Sequence, residues 1–234
     1  MKQAVGVVGL DNEEPYSRFR TVVGAVLLVF NPLSVETLSD LLRVPGVSTT
    51  LRPLHSLLLV PPGKATPIRI FHKSFPDFLM DPKRCTDQHF FIDPSIHHRG
   101  ILLSCLSVMK ERLKRNICNL YDYVLLSQVR DIAARRATWI GDTLEYACCF
   151  WTNHLMGVPG NSPGVKEVWT AIDEFFTTCL LFWMEALSLT GNLDVCVHSL
   201  NNIQQWYMLV SCVWSACLGR DCLHLFRQEF PASG

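Results

Sequence analysis

Net charge, long apolar runs and catalytic motifs are all missing from this sequence of 234 residues. Its 21 Lys and Arg residues balance its 21 Asp and Glu residues, so the chain has no overall field that would attract DNA or an acidic membrane surface. We therefore expect any partner to be recognised by a local surface, and we predict no nucleic-acid partner and no membrane partner.

The apolar runs are too short or too interrupted for a transmembrane helix. The run from Val22 to Phe30 is far shorter than the ~20 residues that a bilayer requires, and the run from Phe175 to Leu189 contains Glu185. The first fourteen residues carry one early Lys followed by Asp11, Glu13 and Glu14, which argues against a secretory signal. We expect a cytoplasmic protein in a reducing compartment.

The ten cysteines do not have the spacing of a structural zinc site. Cys148 and Cys149 are adjacent, whereas chelating pairs are separated by about two to four residues. We predict buried, reduced thiols and no bound metal. The adjacent His97 and His98 would point about 100° apart on a helix, which argues against a shared ion.

No catalytic set can be assembled from the sequence. A phosphate-binding loop requires Gly-x-x-x-x-Gly-Lys-Ser/Thr, and Gly63-Lys64 is followed by Ala65. The His-Glu-x-x-His signature of zinc proteases is absent, and no nucleophile, base and orienting residue form a recognisable group. We predict that the chain is not an enzyme, binds no cofactor and has no small-molecule substrate.

The N-terminal third predicts three helices and a hairpin. Apolar spacing indicates a helix from Arg18 to Phe30, Ser34 has the position of an N-cap for a second helix, and the third follows Gly46 and continues to about His55. The apolar stretch 57–60, the turn 61–64 and the alternating stretch 68–70 indicate a β-hairpin.

A closing helix should follow the hairpin. Ser74 and Asp77 fit a capping box, which predicts a helix from Phe75 with Phe78 and Leu79 directed inward. Three helices, a hairpin and a closing helix make a winged helix. We therefore predict an N-terminal tail over residues 1–15 and a winged-helix domain over residues 16–82.

The rest of the chain predicts a mainly α domain, a helical bundle or repeat, over residues 83–210. Asp93 and Pro94 have the positions of an N-cap and a first helical residue. Four apolar stripes at helical spacing are predicted to face the core: Leu102, Leu106, Met109 and Leu113; Leu144, Cys148, Trp151 and Leu155; Val168, Ile172, Phe175 and Cys179; Leu193, Cys196, Leu200 and Ile203. Residues 157–164 indicate a loop, and residues 211–234 stay unassigned.

Several stretches of the sequence carry a family resemblance. The most specific is His72-Lys73-Ser74-Phe75-Pro76-Asp77-Phe78-Leu79. Shorter ones are Val23-Gly24-Ala25-Val26-Leu27-Leu28, Asn31-Pro32-Leu33-Ser34, Leu54-His55-Ser56-Leu57-Leu58, Asn116-Ile117-Cys118-Asn119-Leu120 and Tyr146-Ala147-Cys148-Cys149-Phe150-Trp151. Together, over roughly residues 16–210, they resemble the segment that follows the ATPase core in fungal NACHT proteins with WD repeats, which are relatives of the heterokaryon-incompatibility proteins.

The resemblance implies a non-catalytic regulatory segment of a signalling ATPase of the STAND or Nod-like receptor type. The winged helix would pack, in cis or in trans, on a NACHT nucleotide-binding domain in the ADP-bound state and leave it on activation. A histidine of related receptors contacts the ADP phosphate, and His72 has a similar place, although Lys73 stands where many relatives have Asp. A histidine packed in the core is the alternative for His72.

Two further expectations concern the extent of the chain and an alternative function. Because the chain contains neither a phosphate-binding loop nor WD repeats, we expect a fragment or a truncated paralogue. The alternative function is a DNA-binding winged helix, since that fold is common among transcription factors. It is disfavoured because the third helix offers only Arg52, and the hairpin only Lys64 and Arg69, as contacts to phosphates.

Overall fold

The structure of the chain, a computed structural model, describes residues 13–61, 63, 65–121 and 125–218, with side chains up to residue 211. The described part is mainly helical, as predicted, with one small antiparallel sheet. Its elements are α1 Glu14–Leu28, α2 Val35–Leu42, α3 Val47–Leu51, β1 Leu58–Leu59, β2 Arg69–Ile70, α4 Ser74–Leu79, α5 Pro94–Arg112, α6 Ile132–Trp139, α7 Gly141–Met156, α8 Val165–Thr178, α9 Leu180–Thr190 and α10 Asp194–Leu218.

Helix α1 starts earlier than the predicted Arg18, because Pro15 lies in its first turn and its fixed φ suits a helix start. The helix packs closely on α5 at one glycine. A Cβ on Gly24 would lie 2.6 Å from Nδ1 of His97, so the imidazole ring rests directly on the α1 backbone. This contact explains why a residue with low helix propensity is present in the middle of α1.

Gly24→Ala is expected to lower the free energy of unfolding by about 1–3 kcal/mol, because the new methyl group would overlap the His97 ring. Urea denaturation would measure the loss. The double variant with His97→Ala should lose less than the sum of the two single variants, since the methyl group then enters the space that the ring vacates. Strict additivity would rule out this clash as the cause.

Helices α2 and α3 begin as predicted. The Ser34 hydroxyl accepts a hydrogen bond from the Thr37 amide at 3.1 Å and caps α2. Gly46 precedes α3 with a φ of 74°, in the left-handed region that favours glycine. The third helix does not continue as an α-helix to His55, because Pro53 lacks an amide hydrogen and sits in a separate 3-10 turn.

The hairpin forms where the alternation of side chains predicts it. Leu58 of β1 lies opposite Ile70 of β2, and Leu59 lies opposite Arg69. Leu58 is fully buried, whereas Leu59 is exposed, so one face of the sheet packs on the core and the other faces solvent. A sheet of this size is stable only through that packing.

The capping box predicted for α4 is wrong. The helix begins at Ser74 itself, and the Ser74 hydroxyl makes no cap hydrogen bond because it contacts the ring of His72 instead. Phe75 and Leu79 are buried, but Phe78, which was predicted to point inward, is exposed. Because Phe75 points to the core, Phe78, three positions later in this short helix, lies at the edge of the buried face.

Helices α5 and α7 pack against each other at the centre of the fold. Asp93 caps α5 as predicted, accepting a hydrogen bond from the Ser95 amide at 2.9 Å. Helices α1, α2 and α8 pack on α5, and α2, α9 and α10 pack on α7. The predicted winged-helix and helical segments thus share one core, while their division at residue 82 stays a prediction.

An aromatic cluster fills the core between α7, α8 and α9. The rings of Trp151 and Phe175 have centroids 4.7 Å apart, and those of Phe175 and Trp183 are 5.6 Å apart. The indole nitrogen of Trp183 donates a hydrogen bond to the Cys148 carbonyl at 2.9 Å. The predicted inward stripes on α5, α7 and α8 are confirmed, since their members are all buried.

The inward stripe predicted for α10 is correct only in part. Cys196 is buried and Ile203 packs on the core. Leu193 and Leu200 are exposed, whereas Ser199 and Asn202 are buried. These two polar side chains reach Thr152 of α7, where Thr152 Oγ1 and Ser199 Oγ lie 3.0 Å apart. Satisfied hydrogen bonds therefore direct a polar face of α10 inward and leave an apolar face outside.

The basic cluster at the end of α5 is engaged in contacts within the chain. Arg112 donates two hydrogen bonds to Asp40 of α2, at 2.6 and 2.8 Å, and this contact lowers the pKa of Asp40. Lys110 pairs with Glu174, and the Lys114 ammonium lies 4.9 Å from the centre of the Trp139 ring. Lys110, Arg112 and Lys114 thus contact other parts of the fold.

The described cysteine side chains are buried free thiols, as predicted: Cys85, Cys105, Cys118, Cys148, Cys149, Cys179 and Cys196. Burial raises the pKa of Cys149 to about 11, which disfavours the reactive thiolate. In the part of the chain that the structure covers, no helix has the length and apolar character to cross a bilayer.

Candidate functional site

The solvent-facing side of the hairpin carries apolar side chains. Leu59 lies opposite Arg69, and the Phe71 amide donates to the Leu57 carbonyl at 3.0 Å, which continues the pairing by one residue. Residues opposite each other in a ladder share a face, so these four residues form one surface, which we call the outer hairpin face. Phe71 is 58% exposed and Leu59 is 42% exposed.

His72 follows the outer hairpin face directly and is itself exposed. The alternative of a core histidine is therefore wrong. The Ser74 amide donates to His72 Nδ1 at 3.2 Å, and the Ser74 hydroxyl lies 2.7 Å from the same nitrogen. In the neutral ring Nδ1 is then an acceptor, so the proton lies on Nε2. None of the described residues hydrogen-bonds Nε2, and this N–H can donate to an external acceptor.

Two cations flank this histidine in the sequence and are exposed. Arg69 belongs to the outer hairpin face and Lys73 follows His72. The geometry thus combines an apolar surface, a ring donor and positive charge, a combination that suits a protein surface bearing an anionic group. Lys64, the other predicted cation of the hairpin, lies outside the described residues.

A second cluster, the buried histidine network, lies where α1, α5 and α7 meet. Tyr146 and His154 lie about two turns apart on α7, and Tyr146 Oη is 2.8 Å from His154 Nε2. His154 Nδ1 is 2.9 Å from Nδ1 of His98 on α5. The Phe30 amide, just after α1, donates to Tyr146 Oη at 3.3 Å.

One arrangement of protons satisfies the buried histidine network. The Phe30 amide can only donate, so the Tyr146 oxygen accepts from it. The Tyr146 hydroxyl then donates a hydrogen bond to His154 Nε2, and His154 Nδ1–H donates one to His98 Nδ1. Both rings are then neutral. A further proton on either ring leaves a buried hydrogen without an acceptor, which is costly in a low-dielectric site.

Burial acts in the same direction on the basicity of these rings. It lowers the pKa of His154 to about 3, with a further contribution from the nearby His98, and it also lowers the pKa of His98. His97, packed on Gly24, has its pKa lowered to about 4 by burial. These histidines are therefore neutral at physiological pH and act as hydrogen-bonding and packing groups.

Nothing in the sequence pattern indicated this network. Its members lie on α5, on α7 and just after α1, and the adjacent His97 and His98 turn to different neighbours. Among the described residues, no three His, Cys, Asp or Glu side chains are grouped to hold a metal ion.

The loop between α7 and α8 contains a sequence pattern that is typical of a catalytic serine. Gly160-Asn161-Ser162-Pro163-Gly164 satisfies Gly-x-Ser-x-Gly, the pattern of a nucleophile elbow. The stretch connects two helices, α7 and α8, whereas an elbow joins a strand to a helix. The Ser162 hydroxyl donates to the Pro159 carbonyl at 2.6 Å within the same turn, so the motif serves here to connect the helices.

Comparisons of the chain with models of known protein families, with curated proteins and with solved structures found no match. The likeness to NACHT-type proteins therefore stays a hypothesis that rests on short stretches of sequence and on the geometry around His72.

Proposed function

We propose that this chain is a non-catalytic regulatory segment that docks on a NACHT-type nucleotide-binding domain in its ADP-bound state, in cis or in trans. The element order of three helices, a hairpin and a closing helix matches that of a winged helix and supports this assignment. In this proposal the outer hairpin face and His72 form the docking surface.

The observation that carries the proposal is the exposure of Phe71 and Leu59 beside His72. A two-stranded sheet in water gains nothing from an exposed phenylalanine, whereas large aromatic side chains supply much of the energy of protein interfaces. Arg69 and Lys73 add positive charge next to that apolar surface, which favours a partner that carries phosphate groups.

His72 would contact the ADP phosphate through Nε2–H. The two contacts from Ser74 hold Nδ1 as an acceptor and so place the ring proton on Nε2. A fixed donor loses little conformational freedom when it meets a phosphate oxygen, which increases the contribution of such a hydrogen bond to binding.

The DNA-binding alternative has less support from the described residues. The solvent-facing positions of α3 are Ser48 and Thr49, and the next exposed cation is Arg52. A recognition helix needs several cations or amides toward the phosphates and base edges. The docking proposal is therefore preferred.

Phe71→Asp is expected to weaken binding to a purified, ADP-loaded NACHT domain of a fungal WD-repeat protein by at least about tenfold, because an interface anchor of this kind contributes more than ~1.4 kcal/mol. Calorimetric titration of the full chain would measure it. The matched control is Leu125→Asp, which places the same charge at an exposed apolar residue remote in sequence.

His72→Ala tests the nucleotide contact separately. We expect faster release of a fluorescent ADP analogue from the complex, with a smaller loss of affinity between the two proteins. Equal binding by wild type and Phe71→Asp would refute the docking surface, and unchanged ADP release in His72→Ala would refute the phosphate contact.

A further inference from the structure

The outward face of α10 is apolar over four turns. Leu193, just before α10, and Val197, Leu200 and Met208 on α10 are 45 to 66% exposed. The spacings of three and eight residues place the last three along one stripe of the helix. Gln204 lies in the middle of the same stripe. We call these five residues the outer stripe of α10.

Helix α10 cannot rotate to bury the outer stripe in the core of the same chain. The opposite side of α10 is fixed on α7 by buried residues that include Ser199, Asn202 and Trp206, and the Trp206 indole donates to the Val158 carbonyl at 2.8 Å. Turning the helix would break these hydrogen bonds. The apolar stripe therefore needs a separate partner to leave water.

We propose that the outer stripe pairs with the same stripe of a second copy of this chain, so that two α10 helices form a parallel, two-fold symmetric pair. No Lys, Arg, Asp or Glu occurs from Val195 to Leu218, so two copies of this stripe meet without repulsion between like charges. Helices with apolar stripes of this spacing pair by interlocking side chains.

Gln204 decides the orientation of the pair. On a two-fold axis parallel to α10, Gln204 meets its own counterpart, and two amides each offer a donor and an acceptor to the other. In an antiparallel pair centred on the stripe, Gln204 faces Val197, and the two amides lie against apolar groups. Self-pairing of a polar side chain at such a position is known to set register and orientation in paired helices.

The size of the stripe sets the expected affinity. A strip about 10 Å wide along the length from Leu193 to Met208, about 24 Å, covers on the order of 240 Å², roughly a third of the ~800 Å² that each partner of a standard interface buries. Leu181 and Met184 of α9, which packs on α10, are also exposed and can add to it. We therefore expect a dissociation constant in the micromolar range.

Sedimentation equilibrium of the full chain from about 1 to 200 μM tests this inference. The wild type should shift from the mass of one chain to that of two. Val197→Glu combined with Leu200→Glu should weaken the dimer at least tenfold, with an unchanged helical circular dichroism spectrum. Gln205→Glu puts the same charge at an exposed position well away from the stripe on the same helix and should leave the dimer intact.

Gln204→Leu provides the opposite change. It should tighten the dimer at least tenfold, because two amides no longer have to be desolvated, while orientation is less strictly defined. A wild type that stays a single chain at 200 μM overturns the inference. A wild type that stays a single chain and co-sediments with phosphatidylcholine vesicles also overturns it, because the stripe then binds lipid. Equal weakening by Gln205→Glu, or dimers that persist in the double glutamate variant, would also overturn it.

Discussion

Acidification from pH 7 to pH 5 is expected to lower the free energy of unfolding by about 4 kcal/mol. His154 and His97 have pKa values lowered to about 3 and about 4 in the folded chain, first of all by burial. In the unfolded chain both titrate near ~6.5. Between these values the unfolded state binds more protons, so stability is complete above about pH 6.5 and is lost as the pH falls.

The test is the slope of stability against pH. Urea unfolding at several pH values should give a fall of about 2 kcal/mol from His154 and about the same from His97. His154→Gln keeps an acceptor toward Tyr146 and a donor toward His98 but cannot titrate, so this variant should lose about half of the slope. His55→Asn removes an exposed histidine and should leave the slope unchanged. A full slope in His154→Gln would contradict the assignment.

Trp183→Ala is expected to lower the free energy of unfolding by about 4 kcal/mol. The substitution leaves a cavity beside Trp151 and Phe175 and removes the hydrogen bond to the Cys148 carbonyl. A domain of this size has only about 5–15 kcal/mol of stability in total. The variant should therefore unfold at a much lower urea concentration than the wild type, or fail to fold.

Two conservative variants keep this prediction testable even if Trp183→Ala fails to fold. Trp183→Phe retains an aromatic ring but loses the indole donor, whereas the buried indole nitrogen of Trp151 has no acceptor among the described residues. Trp183→Phe should therefore cost about 1 kcal/mol more than Trp151→Phe. Equal losses would show that the hydrogen bond to Cys148 contributes little.

The elements that the sequence predicted well are those whose signals are local. Caps such as Ser34 and Asp93 depend on residues two or three positions apart, and the buried stripes of α5, α7 and α8 follow from the helical period alone. Hydrophobic periodicity assumes that apolar faces point to the core. That assumption failed for part of α10, where Ser199 and Asn202 are buried and hydrogen-bond with Thr152, and Leu200 is exposed.

The functional regions could be predicted only in part. His72 was found through a family resemblance, but its ring contact with Ser74, which removed the expected cap of α4, depends on backbone geometry that no motif encodes. The buried histidine network joins Phe30, His98 and His154 across large separations in sequence. Only packing of three helices brings these groups together, so neither spacing nor composition could have indicated them.

The bond between the Phe30 amide and Tyr146 joins residues that are 116 positions apart, and this has a consequence during synthesis. Helices α1 and α2 leave the ribosome well before α5, which packs on both, and before α7, which packs on α2. At about 5–20 residues per second, α1 and α2 wait on the order of 10 s for those partners. Their apolar faces are available to chaperones during that time, and a destabilised α7 would prolong it.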